Sequence, residues 1–119
     1  MDTYINKLLD SLSKTKFRGS FHLNKKMKDY VNSKGIDKIR EDSLFFIKNR
    51  LADANPKNDS KQTPMKQVHP VFIAQHATGC CCRGCVERIH KIPKGRELTS
   101  KEINYLSDVI MKWIEREIK

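Results

Sequence analysis

"TSKEINYLSDVIMKWI", residues 99–114, is the stretch that decides the fold class. Thr99 and Glu102 stand three apart ahead of an apolar run. This is a capping box, in which a hydroxyl and a carboxylate satisfy each other's otherwise orphaned backbone N–H groups. Ile103, Leu106, Ile110, Trp113 and Ile114 follow at intervals of three and four, so they line one face of a long helix. Trp113 sits on that stripe and is read as core rather than as a platform for stacked bases.

The same periodicity recurs upstream. Tyr4, Ile5, Leu8, Leu9 and Leu12 predict an amphipathic helix over 3–14, which "FRGSFHLN" (17–24) breaks at Gly19. Asn24 is placed to cap a second helix through Val31, and Gly35 to end it after Lys34. His22 reads as a packing or capping residue. Ile39, Leu44, Phe46, Ile47 and Leu51 mark a third helix from about Asp37 to Leu51. "VFIAQHAT" (71–78) is a short buried helix or strand, between which periodicity does not decide. A short helix is read over 83–91, and "IPKGREL" (92–98) turns the chain. The expected fold is all-α: one domain over residues 1–119, with about five or six helices, a long polar loop and a Cys/His-rich segment.

The 119 residues carry a net charge of +10, which predicts a polyanion partner, with nucleic acid the commonest. A lysine-rich surface that binds nothing is the plainer explanation. No apolar run reaches the length of a membrane span, and the N-terminus lacks the basic start and apolar stretch of a signal peptide. A cytoplasmic protein is expected. In that reducing setting clustered cysteines more often bind metal or react than form disulfides, and adjacent cysteines strain such a bond.

All four cysteines lie in "HATGCCCRGCVERIH" (76–90), as Cys80, Cys81, Cys82 and Cys85. Zinc takes four tetrahedral sulfur or nitrogen ligands. Cys82-Arg83-Gly84-Cys85 forms a C-x-x-C knuckle, and His76, His90 and Cys81 or Cys80 can complete a site; iron is a second candidate. Arg83 and Arg88 would offset thiolate charge. Alternatively, the helix dipole and Arg83 would acidify Cys82 and make a reactive thiol, for a redox or sensor protein.

The stretch 52–70 has three prolines, no glycine and little that is apolar. Long ordered loops are often functional. Lys57, Lys61 and Lys66 can reach phosphate, and Asn58, Asp59, Gln62 and Thr63 can form hydrogen bonds, with Gln75 beside His76. Arg83 and Lys94 join Asn58, Lys61, Gln62, Lys66 and Gln75 as candidate nucleic-acid contacts. A base-excision enzyme needs a carboxylate at the sugar, groups that read the extruded base, and an apolar wedge. Asp59 would supply the first, His69 and Asn58 the second, and Pro64-Met65 the third, so Asp59 and His69 are the candidate catalytic pair. In a metal-free nuclease His69 or His76 would act as acid or base. Against this, a polar loop with one aspartate is usually only solvated, and a histidine before proline is often only a turn residue.

"KFRGSFHL", "FIKNRLADANPKNDSKQTPM", "HPVFIAQHATGCCCRGCVERIHKIPKGREL" and "VIMKWI" together resemble an uncharacterised family of small bacterial and phage proteins, Domain of Unknown Function family 4186. The resemblance runs from residue 16 to 114. It places Lys61, Gln62, Thr63, His69, His76, Cys81, Cys82, Cys85, His90 and Lys94 on motif positions and leaves Cys80 as a local extra. Ile89-His90 and Asp59-Ser60 stand where the family tends to have W-H and D-G. The resemblance implies that the polar loop and the Cys/His segment form one unit, and phage occurrence points towards nucleic-acid processing. The favoured expectation is a zinc-stabilised DNA-processing protein, most concretely a base-excision glycosylase. A non-catalytic zinc-containing nucleic-acid module is the alternative, and the thiol protein a further one.

Overall fold

In a computed structural model, which describes residues 2–56, 61–66 and 68–119, the chain forms helices α1 (Asp2–Ser13), α2 (Lys25–Lys34), α3 (Ile36–Arg50), α4 (Pro70–Thr78), α5 (Arg83–His90) and α6 (Ser100–Ile118). A 3₁₀ turn, Arg18–Ser20, lies between α1 and α2, and no strand occurs among the described residues. The all-α expectation is met.

The capping signals work as their chemistry dictates. Thr99 Oγ1 accepts from the Glu102 N–H at 3.1 Å and Glu102 Oε1 accepts from the Thr99 N–H at 2.9 Å, closing the capping box of α6. Asn24 accepts from the Met27 N–H and starts α2. Gly35, at φ +88°, both ends α2 and precedes α3, a backbone setting that favours glycine.

α4 resolves the helix-or-strand ambiguity. His69 is its N-cap, with the ring Nδ1 accepting from the Val71 N–H at 3.0 Å. Pro70 occupies the first turn, where a missing N–H costs nothing. Gly79 ends the helix in the left-handed conformation at φ +73°. All nine residues of α4 are buried, so a stripe could not have shown itself in the sequence.

α6 packs along α3 and α4, and α1 closes over α4 and α6. The buried apolar side chains form one cluster that includes Ile5, Val31, Ile47, Val71, Leu106 and Ile110. Each fully buried aliphatic side chain of this kind stabilises by about 1.5–3 kcal/mol. The face that α3 buries differs from the expected stripe: Ile39, Ser43 and Ile47 are buried, while Leu44 and Phe46 are only half-buried. Ser43 and Ser107 explain this, because their hydroxyls meet at 2.6 Å and two small side chains let α3 and α6 approach closely. Trp113 is half-buried against the core cluster. His22 is exposed and meets Glu117 at 3.1 Å. No helix among the described residues is long and apolar enough to cross a membrane.

Candidate metal centre

Beyond Gly79 the chain turns through Cys80, Cys81 and Cys82 into α5. Cys82 is the N-cap of α5, its sulfur accepting from the Cys85 N–H at 3.4 Å. That turn folds the C-x-x-C back on itself. The Sγ atoms of Cys81, Cys82 and Cys85 lie within 4.8 Å of one another. Tetrahedral zinc, with Zn–S near 2.3 Å, separates its sulfurs by about 3.8 Å. The three thiols therefore need to close by only about 1 Å at most to hold an ion.

Cys80 stands apart, as its extra position suggested. It is fully buried and contacts the Thr78 carbonyl and His90 Nε2, at 3.9 and 3.5 Å. Burial pushes its thiol up to about 12. Burial, reinforced by neighbouring Cys85, likewise pushes Cys81 up to about 12, and burial raises Cys82. Cys85 goes the other way: burial would raise it, but hydrogen bonds from Cys82, Cys81 and Arg18 more than reverse that. The acidified thiol is thus Cys85, where the sequence pointed to Cys82.

The cation beside the sulfurs is Arg18. Its Nη2 donates to Cys85 Sγ at 3.2 Å, and its Nη1 lies 3.8 Å from Cys81 Sγ and also donates to the His76 carbonyl. Arg88 adds a contact to Cys85 Sγ at 3.5 Å. Desolvation alone would lower the pKa of Arg18, but its attraction to Cys81 and Cys85 raises it overall. The sequence offered no local sign of this pairing, because Arg18 lies 67 residues from Cys85.

Arg83 is a correction. Expected beside the thiolates and on a nucleic-acid face, it is 1 % exposed. It donates instead to the carbonyls of Leu51, Asp53 and Pro93, at 3.1, 3.0 and 2.8 Å. It ties the end of α3 to the turn after α5.

The histidines expected as ligands stand outside the sulfur group. His76 Nε2 donates to the Pro64 carbonyl at 3.0 Å, and its ring stacks on Phe21. His90 is fully engaged: Nε2 donates to the Thr78 carbonyl and Nδ1 accepts from the Tyr105 hydroxyl, both at 2.9 Å. His69, expected to be catalytic, has no free ring nitrogen. Nδ1 caps α4, so Nε2 carries the proton and donates to Asp42 at 3.1 Å. Burial lowers the pKa of all three rings.

The polar loop does join the sulfur segment through residues 62–64. Thr63 Oγ1 donates to the Cys81 carbonyl at 2.8 Å, Pro64 accepts from His76, and the Gln62 carbonyl accepts from Arg50 at 3.3 Å. Gln62 and Gln75 are buried, so the expected contact of either with nucleic acid is not available at the surface. Gln75 donates to the Cys80 carbonyl at 3.0 Å. Lys61, Lys66 and Lys94 are exposed, whereas Asn58 and Asp59 lie outside the described residues.

No solved structure matches the chain. A family model matches residues 6–115, wider than the motif-bearing stretch and including the Arg18 turn, the polar loop and the whole sulfur segment. The chain therefore belongs to the family described as Domain of unknown function (DUF4186).

Proposed function

We propose that this protein is a zinc-binding, nucleic-acid-binding module. The observation that carries the reading is the convergence of the Cys81, Cys82 and Cys85 sulfurs beside Arg18. Soft thiolates in a C-x-x-C turn suit zinc, with iron the second choice. Three thiolates and a divalent ion carry one net negative charge, which Arg18 and Arg88 are placed to balance. Among the described residues no fourth carboxylate, imidazole or thiol joins the group, so water or an outside ligand would fill the fourth position. Zinc there would fix the corner between α4 and α5, and through Thr63 the base of the polar loop.

The net charge of +10, with Lys61, Lys66 and Lys94 exposed, supports a polyanion partner. Base excision has less support: His69 lacks a free nitrogen, and no described residue near it offers an unpaired carboxylate, since Asp42 is held by His69 and Lys38. A second reading, a thiol sensor, is favoured by one observation, the acidified and partly exposed Cys85.

Native mass spectrometry tests the metal, and anisotropy of labelled oligonucleotides across a salt series tests the partner. The expected results are one zinc, retained in Cys80→Ser and lost in Cys81→Ser, Cys82→Ser and Cys85→Ser, and an affinity that falls steeply with salt. Four metal-free thiols with fast alkylation of Cys85 would replace the metal reading with the sensor. Affinity flat with salt would remove the phosphate-gripping surface. Alkali-labile sites in uracil- or hypoxanthine-containing DNA would restore base excision.

A further inference from the structure

Arg83 is a buried cation that meets no carboxylate at ion-pair distance among the described residues, and it forms part of the wall of a hollow. We propose that this hollow, lined by Arg83, Lys94, Gly95, Asn55 and Pro56, is a binding site for a phosphate monoester. The source assigned to it, the 5′ end of a nucleic-acid strand, rests on the nucleic-acid reading; the anion site itself does not.

A guanidinium has five N–H groups. Three of those on Arg83 are spent on the Leu51, Asp53 and Pro93 carbonyls, and Nε has no partner. Carbonyl dipoles solvate the charge but do not neutralise it, and a buried ion without a counter-charge is destabilising. The acidic groups in reach are committed elsewhere. Glu102 is gripped by both terminal nitrogens of Arg96, at 2.8 and 2.7 Å, and by the α6 cap. Glu87 accepts from the Lys94 backbone N–H at 3.1 Å.

That last bond also shapes the hollow. It anchors the turn on which Lys94 is exposed, and Gly95 holds the turn with a left-handed φ of +91°. The hollow has 270 Å³, below the roughly 300 Å³ where drug-sized ligands begin. It suits a small tetrahedral anion. A doubly charged monoester answers two cations, Arg83 and Lys94, better than the singly charged diester of an internal strand position.

The test follows the Arg83 Nε–H and Gly95 amide signals by NMR during titration with inorganic phosphate, against chloride at matched ionic strength. Expected are saturable shifts with phosphate alone. Lys94→Ala should weaken binding about tenfold, the scale of one charge-assisted hydrogen bond, and Lys25→Ala on exposed α2 should leave it unchanged. Arg83→Lys removes the planar fork that spans three carbonyls and can fail to fold, so Lys94 carries the test. Shifts that do not saturate, or that appear equally in chloride, overturn the site. A short oligonucleotide with and without a 5′-phosphate then identifies the source. Tighter binding of the phosphorylated strand, by about tenfold and only with Lys94 present, supports the strand end. Equal binding of both overturns that assignment and leaves a site for small phosphate esters. Saturable phosphate shifts with no oligonucleotide binding at all would sink the nucleic-acid reading but not the anion site.

Discussion

Replacing Gly79 with alanine tests the corner that presents the sulfurs. Gly79 ends α4 at φ +73°, immediately before Cys80. An L-residue in that conformation costs about 1–2 kcal/mol. A Cβ there would also lie 2.3 Å from Ile89 Cδ1. That atom is the end of a flexible side chain, so the clash is relieved by turning Ile89 off its rotamer, at about 0.5–1.5 kcal/mol. Alanine restricts the unfolded chain and returns about 0.4–1 kcal/mol. The net expectation is a destabilisation of about 1–3 kcal/mol, read from urea unfolding with unchanged m. A thermodynamic cycle separates the two costs. In an Ile89→Ala background the Cδ1 clash vanishes and only a tight 3.3 Å contact to the Cβ of residue 89 remains, so Gly79→Ala should cost about 0.5–1.5 kcal/mol less than in the native background. A Gly79→Ala protein within about 0.5 kcal/mol of the native one would refute both the left-handed turn and the packing of α5 against it, and a cycle with no coupling would refute that packing alone.

Two further outcomes concern pH. Arg96 holds the Glu102 carboxyl down to about 2 from 4.5, with the Thr99 N–H helping against slight burial, so its contribution to stability is present above pH 4.5 and lost as pH falls towards 2. Glu102→Gln keeps the cap acceptor and should lack that acid-sensitive component, as measured by thermal melts across the same range. His69, His76 and His90 are held neutral by burial, with pKa values below 6.5, so the unfolded chain takes up protons first and stability should fall as pH drops below 6.5. His69→Asn retains a capping oxygen and should make that decline in the urea midpoint shallower; an unchanged slope would mean that His69 is not held neutral.

What the sequence revealed depended on the range of the interaction. Capping is local, so Asn24, Gly35 and the Thr99–Glu102 pair mark helix ends within the sequence itself. Periodicity needs one solvated face, and α4 has none, so its residues read equally well as strand. The cysteine cluster was visible as a spacing, yet its membership was not. The family resemblance set Cys80 apart, but the two histidines look as eligible as Cys81 until the chain turns at Gly79. The charges were the least legible. A lysine or arginine in a sequence reads as solvated, but Arg83 is spent on carbonyls from two distant segments and Arg18 on sulfurs from a third. Neither leaves a mark within one helical turn of itself.

The pairing of Arg18 with Cys85 has a consequence for biosynthesis. A ribosome makes the chain from the N-terminus, so the guanidinium emerges 67 residues before the thiol it will meet. The sulfurs are therefore never the first half of their own partnership to appear, and their docking must wait for α4 to bring the two together. A short synthetic peptide copied from the knuckle would lack this cation and would meet metals and oxidants as an ordinary, mostly protonated thiol. Reactivity measured on such a fragment describes a different chemical object from the sulfurs of the intact chain.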